Sequence, residues 1–288
     1  MKRILITGKN SYIGQTFINW VKANNVDYKI DTIDLKDPDW KKQDFSIYDC
    51  LIHLAAIVHK KGQEDDIYYR VNRDLAVETA QKAKDEGIKQ FVFFSTMSVY
   101  DKNSVVVSSH TKPAPNNAYG KSKLEAEKLI YRLMTPEFIV SILRPPMIYG
   151  YNSPGNYRRI SSLAQRVFVF PKIENKRSML FIENLHSFLK LIIDNKLSGY
   201  YFPQNEELVN TSNLVKQIAL KNNKKIYLIP GFKWIIDFLE KKIELFSKVF
   251  GSFYYDSTLS GSPGTEEGNI KFLYQEKSFK ESIRASEK

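Results

Sequence analysis

The amino terminus constrains the fold most strongly. Ile4-Leu5-Ile6 is a short apolar run that ends in Thr7-Gly8-Lys9-Asn10-Ser11-Tyr12-Ile13-Gly14, and helical periodicity follows through Phe17, Ile18, Trp20 and Val21. Strand, glycine turn and helix in that order form a phosphate cradle of the dinucleotide-binding kind. Gly8 allows the tight turn, amides at the helix start face a pyrophosphate, and Gly14 lets the helix pack closely on its sheet. Ser11 replaces the usual middle glycine and crowds the closest approach to phosphate. Taken alone, the motif competes with an ordinary turn.

The following segments repeat the alternation. A second strand, Tyr28 to Asp34, ends in an acid about twenty residues past Gly14, where a carboxylate accepts hydrogen bonds from an adenosine ribose and disfavours a 2′-phosphate. Lys36 pulls the other way, so NAD and NADP both remain open. Leu51-Ile52-His53-Leu54 runs into Ala55-Ala56, small residues at a strand end where a cofactor would approach; His53 reads as packed in the sheet. A helix from about Ile67 to Glu86 precedes Gly87 and the strand Phe91 to Phe94, with Thr96 just beyond. Continuous apolar strands alternating with helices predict an α/β fold with a doubly wound parallel sheet. Its ligands collect at the strands' carboxyl ends, where Gly8, Asp34, Ala55, Thr96 and Arg144 fall.

Beyond Gly150 the alternation loosens. Residues 156 to 168 read as helix, Pro171 as part of a polar turn, and Ile182 to Asp194 as a helix returning to the sheet. A short strand follows near Tyr200, then a helix from Ser212 to Leu220. An amphipathic helix from Trp234 to Phe250 reads as packed within a cap, because Asp237, Glu240 and Glu244 interrupt any membrane-facing surface. Ser257 to Gly268 reads as a mobile loop, and the last dozen residues as a polar end that frays. The expected organisation is a dinucleotide-binding domain at 1–150, with 181–200 returning to it. Residues 151–180 and 201–288 then make a smaller mixed α/β substrate cap.

Composition narrows the function classes. The 288 residues are 43% hydrophobic and 26% charged, as in ordinary globular proteins. No apolar run reaches the roughly 20 residues that span a bilayer, so stable membrane insertion is not expected. The basic start Met1-Lys2-Arg3 precedes too short an apolar stretch for a signal peptide; it reads as a first strand, in a cytoplasmic protein. The single cysteine, Cys50, lies in an apolar run and reads as inert packing. The four histidines lack metal-site spacing, and no metal is expected. The net charge of +11 is spread along the chain, without nucleic-acid-binding motifs. An enzyme for doubly charged phosphate substrates accounts for it as well, and no nucleic-acid partner is expected.

Tyr119 and Lys123 stand four residues apart on a helix-like stretch, which puts them on one face. Free tyrosine, with a pKa of about 10, is a poor base near neutrality. A neighbouring ammonium stabilises the phenolate and moves that pKa toward the working pH. The spacing alone is weak; Thr96 and the nucleotide-binding pattern give it meaning.

In order and at these spacings, Thr7-Gly8 with Gly14, His53-Leu54-Ala55-Ala56, Val71-Asn72, Ser95-Thr96-Met97-Ser98-Val99-Tyr100, Tyr119-x-x-x-Lys123 and Leu143-Arg144-Pro145 with Tyr149-Gly150 resemble the extended short-chain dehydrogenase/reductase family. Within it, the chain resembles the NAD-dependent epimerase/dehydratase group and has the look of bacterial capsular-polysaccharide enzymes that reduce a UDP-linked 4-keto-6-deoxy-N-acetylhexosamine. The resemblance implies a Rossmann-like fold and hydride transfer at sugar C4 with NAD or NADP. It implies that Tyr119 is the acid/base at O4, Lys123 binds the nicotinamide ribose and tunes Tyr119, and Thr96 shares the O4 proton. It implies a cofactor site made of Gly8, Ser11, Tyr12, Ile13, Gly14, Asp34, Leu54, Ala55, Ala56, Tyr119, Lys123 and Arg144. For a UDP-sugar it nominates Thr96, Met97, Tyr119, Asn156 and Arg177, the last on the substrate diphosphate. Asn184 stands where an aspartate is common and Met147 where an asparagine is common. A homodimer is implied by the same resemblance. A UDP-sugar 4-epimerase shares these residues. A 4,6-dehydratase fits less well, because Met97-Ser98 replaces its Asp-Glu pair. A non-catalytic dinucleotide-binding regulator is the remote alternative.

Overall fold

The computed structural model describes residues 1–58, 64–101, 104–231 and 250–288. The chain folds into two units: one holds Met1–Asp101, Thr111–Pro145 and His186–Phe202, the other Lys102–His110, Pro146–Leu185 and Pro203–Lys288.

The first unit is built on six parallel strands. β1 (Lys2–Thr7), β2 (Tyr28–Ile33), β3 (Cys50–His53) and β4 (Gln90–Phe94) are joined by Ile139–Leu143 and Gly199–Tyr201, in the order Gly199–Tyr201, Ile139–Leu143, β4, β3, β1, β2. The chain leaves β1 toward β2 on one side and returns to β3 on the other, so a topological switch point lies between β1 and β3. The expected doubly wound parallel sheet is present. β3 and β4 are buried along their whole length, as strands covered on both faces must be. Leu5, Leu51, Phe91, Phe93, Val140 and Ile142 form one core with Ala76, Ala80 and Ala83 of the helix Leu75–Asp85. Alanines at that helical spacing present a low ridge and let the helix lie close to the large strand side chains. Gln90 is buried, and its amide nitrogen donates to Ser141 Oγ (3.1 Å), Ile192 O (3.1 Å) and Leu197 O (3.3 Å). That clasp ties the strand Ile139–Leu143 to the turn before Gly199.

The second unit has four two-stranded ladders and three described helices, Asn156–Ala164, Thr211–Lys221 and Phe279–Ser286. Several expectations need correction here. Residues 102–110 belong to this unit and not to the first, because Val106–Val107 pairs with Tyr254–Tyr255. The helix expected to reach 168 stops at Ala164, and Val169–Pro171 forms a strand beside Tyr227–Ile229. The stretch 257–268 is anchored: Gln204 donates to the buried Ser262 Oγ at 3.0 Å, and Tyr274 donates to Gly261 O at 2.8 Å. The last residues do not fray, because Ser278 and Glu281 form a reciprocal capping box and Phe279 and Ile283 are buried. Asn184 is a joint, donating to Asn205 Oδ1 and accepting from the amides of Glu276 and Lys277. The expected helix over Trp234–Phe250 lies, except for its last residue, outside the described residues. No helix among the described residues is long and apolar enough to cross a membrane.

Candidate active site

The glycine turn is held from three sides. Gly8 adopts φ +79°, and a Cβ there would stand 3.2 Å from Ala55 N and 3.3 Å from the Leu54 carbonyl carbon. Only glycine meets both conditions without strain. The Thr7 hydroxyl accepts the amides of Leu54 (3.1 Å) and Ala55 (3.2 Å) and bonds His53 Nδ1 (3.2 Å). The ends of β1 and β3 are thereby locked together at the switch point. Helix α1 (Tyr12–Ala23) begins there with Ser11 as its N-cap, the hydroxyl accepting the Gly14 amide at 3.2 Å. Ser11 therefore has a structural role that spacing did not reveal. A Cβ on Gly14 would come within 2.7 Å of that hydroxyl and 3.3 Å of Ile6 and Leu54, so close helix–sheet packing is its function. Tyr12 and Ile13 occupy the first turn, whose amides point out of the helix end. Asp34 follows β2 directly, and its carboxylate accepts the Lys36 amide at 3.0 Å. Ala55 is half-buried and Ala56 exposed. His53 is fully buried between Phe91 and Phe93. Burial, with the nearby Lys123 charge second, drops its pKa to about 3, as expected of a packed neutral imidazole.

The second cluster forms past the end of β4. Thr96 caps a short turn, Met97–Val99, by accepting the Ser98 amide at 3.1 Å. Tyr119 and Lys123 lie on the helix Ala118–Tyr131, capped by Asn117. Gly120 sets the distance between these pieces. A Cβ there would lie 2.4 Å from Ser98 O and 2.8 Å from Pro115 Cβ, so only a bare backbone can press this helix against the turn. The result is a hydrogen bond between the Thr96 and Tyr119 side chains, with Tyr68 edge-on to the Tyr119 ring at 6.4 Å.

The electrostatics differ from the sequence-based expectation. Burial raises the Tyr119 pKa above its usual value, and the Thr96 hydrogen bond offsets this only in part. The Lys123 amine is turned toward the sheet. Its Nζ donates to Phe94 O at 2.8 Å and lies 4.6 Å from the Phe93 ring centroid. Burial lowers the lysine to about 7, and Glu127 on the next turn opposes the shift. Burial thus disfavours the charged forms of both the phenol and the amine.

Arg144 corrects a second expectation. It sits at the carboxyl end of Ile139–Leu143 as the sequence implied, but its guanidinium faces the protein. Nε and Nη2 donate to the Glu127 carboxylate at 3.0 and 2.6 Å, and Nη1 donates to the Tyr100 hydroxyl at 2.7 Å. With Tyr200 and Phe202 against it as well, it is a buried structural cation and leaves the set of cofactor ligands. Ser95 also donates to Glu127, so this carboxylate secures the strand end that carries Thr96. Sequence reasoning missed Glu127; its only signal was its position four residues after Lys123. Asn72 was quoted without a role. It sits in a π-helical turn, Tyr69–Asp74, accepts the Ile57 amide (2.8 Å), donates to Ile57 O (3.0 Å) and donates to Ser122 Oγ (3.3 Å). It joins the loop after β3 to the Tyr119 helix.

Met97 is buried, with its amide bonded to Pro145 O. Asn156 and Arg177 belong to the second unit. Asn156 opens its helix, exposed, after Gly155 at φ +91°. Arg177 Nη1 donates to Gly251 O at 2.7 Å. The structure thus gathers Gly8, Ser11, Gly14, Leu54 and Ala55 at one place, and Thr96, Tyr119 and Lys123 at another, all within the first unit.

Known proteins resemble this chain. The chain is 28% identical over 225 residues to a UDP-glucose 4-epimerase of Vibrio cholerae, covering 74% of this chain and 66% of that protein. It is 28% identical over 200 residues to an N-acetyl-alpha-D-glucosaminyl-diphospho-ditrans,octacis-undecaprenol 4-epimerase of Escherichia coli O157:H7, covering 67% and 60%. The chain therefore spans less than two thirds of the length of these relatives. A crystal structure of UDP-glucuronic acid 4-epimerase from Bacillus cereus in complex with NAD superposes with a TM-score of 0.71 over 99% of this chain and 97% of that one, at 18% identity; that likeness is one of fold. The family model for NAD dependent epimerases/dehydratases matches residues 4–201, the stretch that holds both clusters. The chain belongs to the NAD dependent epimerase/dehydratase family.

Proposed function

We propose that the protein is an NAD(P)-dependent sugar-nucleotide oxidoreductase acting at sugar C4, and that it reduces a UDP-linked 4-keto-6-deoxy-N-acetylhexosamine for surface polysaccharide synthesis. The carrying observation is the Thr96–Tyr119 hydrogen bond one helical turn from the buried Lys123. A dinucleotide fits the glycine turn on the same grounds: a side chain at Gly8 would fill the space against Ala55, and the start of α1 offers amides and a favourable dipole to a pyrophosphate. Gly8, Ser11, Tyr12, Ile13 and Gly14 would hold the pyrophosphate, Asp34 the adenosine ribose, Leu54 to Ala56 the cofactor's passage over the sheet, and Lys123 the nicotinamide ribose. When bound, the nicotinamide supplies the hydride.

The chain's own contribution is proton management and orientation. Tyr119 donates its phenolic proton to the substrate O4 as charge develops there. Thr96 orients the phenol and offers a second donor. Lys123 follows one turn later, where its positive form stabilises the phenolate left behind. Asn156 and Arg177 are the proposed substrate contacts from the second unit, with Arg177 on the diphosphate.

A second reading, 4-epimerisation, is favoured by the two curated relatives, both named as 4-epimerases. The same residues serve it, with Tyr119 acting first as base. Two measurements test these readings. Tyr119→Phe should lower turnover by about 10²-fold or more while dinucleotide affinity holds; near-normal turnover removes the assignment. Absorbance and mass of small molecules released on denaturation then divide the alternatives: retained NAD⁺ supports the epimerase, and NADPH oxidation on adding a UDP-4-keto sugar supports the reductase.

A further inference from the structure

The second unit carries an outward face that the proposed chemistry does not use. Val169–Pro171 and Tyr227–Ile229 pair in parallel, with Val169 opposite Tyr227 and Pro171 opposite Ile229. Strand alternation turns Phe170 inward, stacked on Phe250 with ring centroids 5.7 Å apart. Val169, Tyr227 and Ile229 are left outside. Phe168 is 72% exposed, Tyr227 67% and Val169 53%, and Phe168 is fixed beside Tyr227 by the bond from Tyr227 N to Phe168 O (2.9 Å). Large apolar groups gathered in the open normally mark a binding surface.

Basic side chains predominate in the two stretches that build this face. Residues 151–173 contain Arg158, Arg159, Arg166 and Lys172, and residues 208–231 contain Lys216, Lys221, Lys224 and Lys225, with no aspartate or glutamate in either stretch. Arg158, Arg159 and Arg166 line an open groove with Leu163. Lys224 Nζ bonds Gln165 O, which holds the two stretches together. Among the described residues these arginines and lysines form no ion pair. Glu174 borders the first stretch, and the carboxylate of Glu287 is taken up by Tyr157, Ser161, Gln165 and Asn222.

We propose that this face docks on an anionic lipid bilayer, with Phe168, Val169, Tyr227 and Ile229 entering the headgroup region and Arg158, Arg159, Arg166, Lys172, Lys224 and Lys225 meeting the negative lipids. Aromatic and aliphatic tips ringed by Arg and Lys are the chemistry of a peripheral membrane surface. Single-stranded nucleic acid also takes aromatic and basic groups, but valine and isoleucine offer no stacking plane for a base. The inference stands apart from the proposed reaction.

The test is co-sedimentation of the full chain with vesicles of equal parts phosphatidylglycerol and phosphatidylcholine, against pure phosphatidylcholine. Binding should be confined to the anionic vesicles and weaken with salt. With each basic group worth about fivefold in partitioning, Arg158→Glu with Arg166→Glu should weaken it at least about tenfold. Phe168→Ser with Tyr227→Ser should weaken it comparably. Arg158→Lys with Arg166→Lys should retain binding, and circular dichroism and dinucleotide affinity should stay at wild-type values in all variants. Absence of vesicle binding, equal binding to neutral vesicles, binding unchanged in both disruptive variants, or displacement from the vesicles by single-stranded DNA would each overturn the proposal.

Discussion

Replacing Glu127 with Gln removes a charge that the first unit cannot replace. The carboxylate is fully buried, with Ser95 Oγ and Arg144 Nε on one oxygen and Arg144 Nη2 on the other. Glutamine keeps one acceptor but turns an amide NH₂ toward a guanidinium that is itself only 7% exposed. Breaking a buried pair from one side costs about 3–5 kcal/mol, because the surviving ion has neither water nor partner. In a chain of this size each kcal/mol lowers the melting temperature by roughly 2–4 °C, so a fall on the order of 10 °C is expected. Urea unfolding followed by circular dichroism would measure it. Replacing both partners with apolar groups, Glu127→Leu with Arg144→Met, should recover most of the loss, since such swaps are often near neutral. The same change removes the anion that props up the Lys123 pKa, so the lysine should titrate below its present value of about 7. A Glu127→Gln protein within about 0.5 kcal/mol of wild type, the scatter of ordinary surface substitutions, would refute this account of the network.

Lys123 should also leave a mark on stability without any ligand. Its folded pKa is about 7 and an unfolded lysine titrates near ~10.4, so between those values the unfolded chain holds the extra proton. The lysine's contribution is therefore most favourable above the unfolded value, is lost as pH falls toward 7, and is constant below. Lys123→Met should remove a rise on the order of 4 kcal/mol across that window; parallel stability curves for the two proteins would contradict it. Gly120→Ala forces a Cβ against Ser98 O and should cost about 1–3 kcal/mol, with turnover falling more than dinucleotide affinity as Thr96 and Tyr119 separate. Ser278→Ala should cost about 1 kcal/mol through the lost cap, read by thermal melting, and leave dinucleotide binding unchanged.

Much of the first unit was legible because its signals are local. The run Ile4 to Gly14 specifies strand, turn and helix within a dozen positions, and Tyr119 with Lys123 follows from helical geometry alone. What escaped depended on partners distant in sequence. The place of Arg144 at a strand end could be read, but whether its side chain faced a ligand or the core turned on Glu127, seventeen residues earlier. The direction of the Lys123 amine was likewise open, since one-face spacing says nothing about a carbonyl on a neighbouring strand. Ser11 was read for its bulk, whereas its hydroxyl closes the helix. At the carboxyl end the signal was present and outweighed: Ser278-x-x-Glu281 is a capping signature, with Phe279 and Ile283 one turn apart, but the polar composition around them suggested fraying. The strand Val169–Pro171 was missed because a three-residue run ending in proline has no period to detect.

The interleaving of the two units bears on how the protein is made. The chain passes between them five times, so neither exists as a continuous segment. The sheet that carries the glycine turn gains its edge strand, Gly199–Tyr201, only after some two hundred residues have left the ribosome, and until then Ile139–Leu143 has an open flank. An unpaired strand edge is adhesive. Gln90, whose partners at Ile192 and Leu197 arrive a hundred residues after it, waits through the same interval. Dissection into a freestanding nucleotide-binding fragment by a cut near residue 150 would freeze the molecule at that exposed stage.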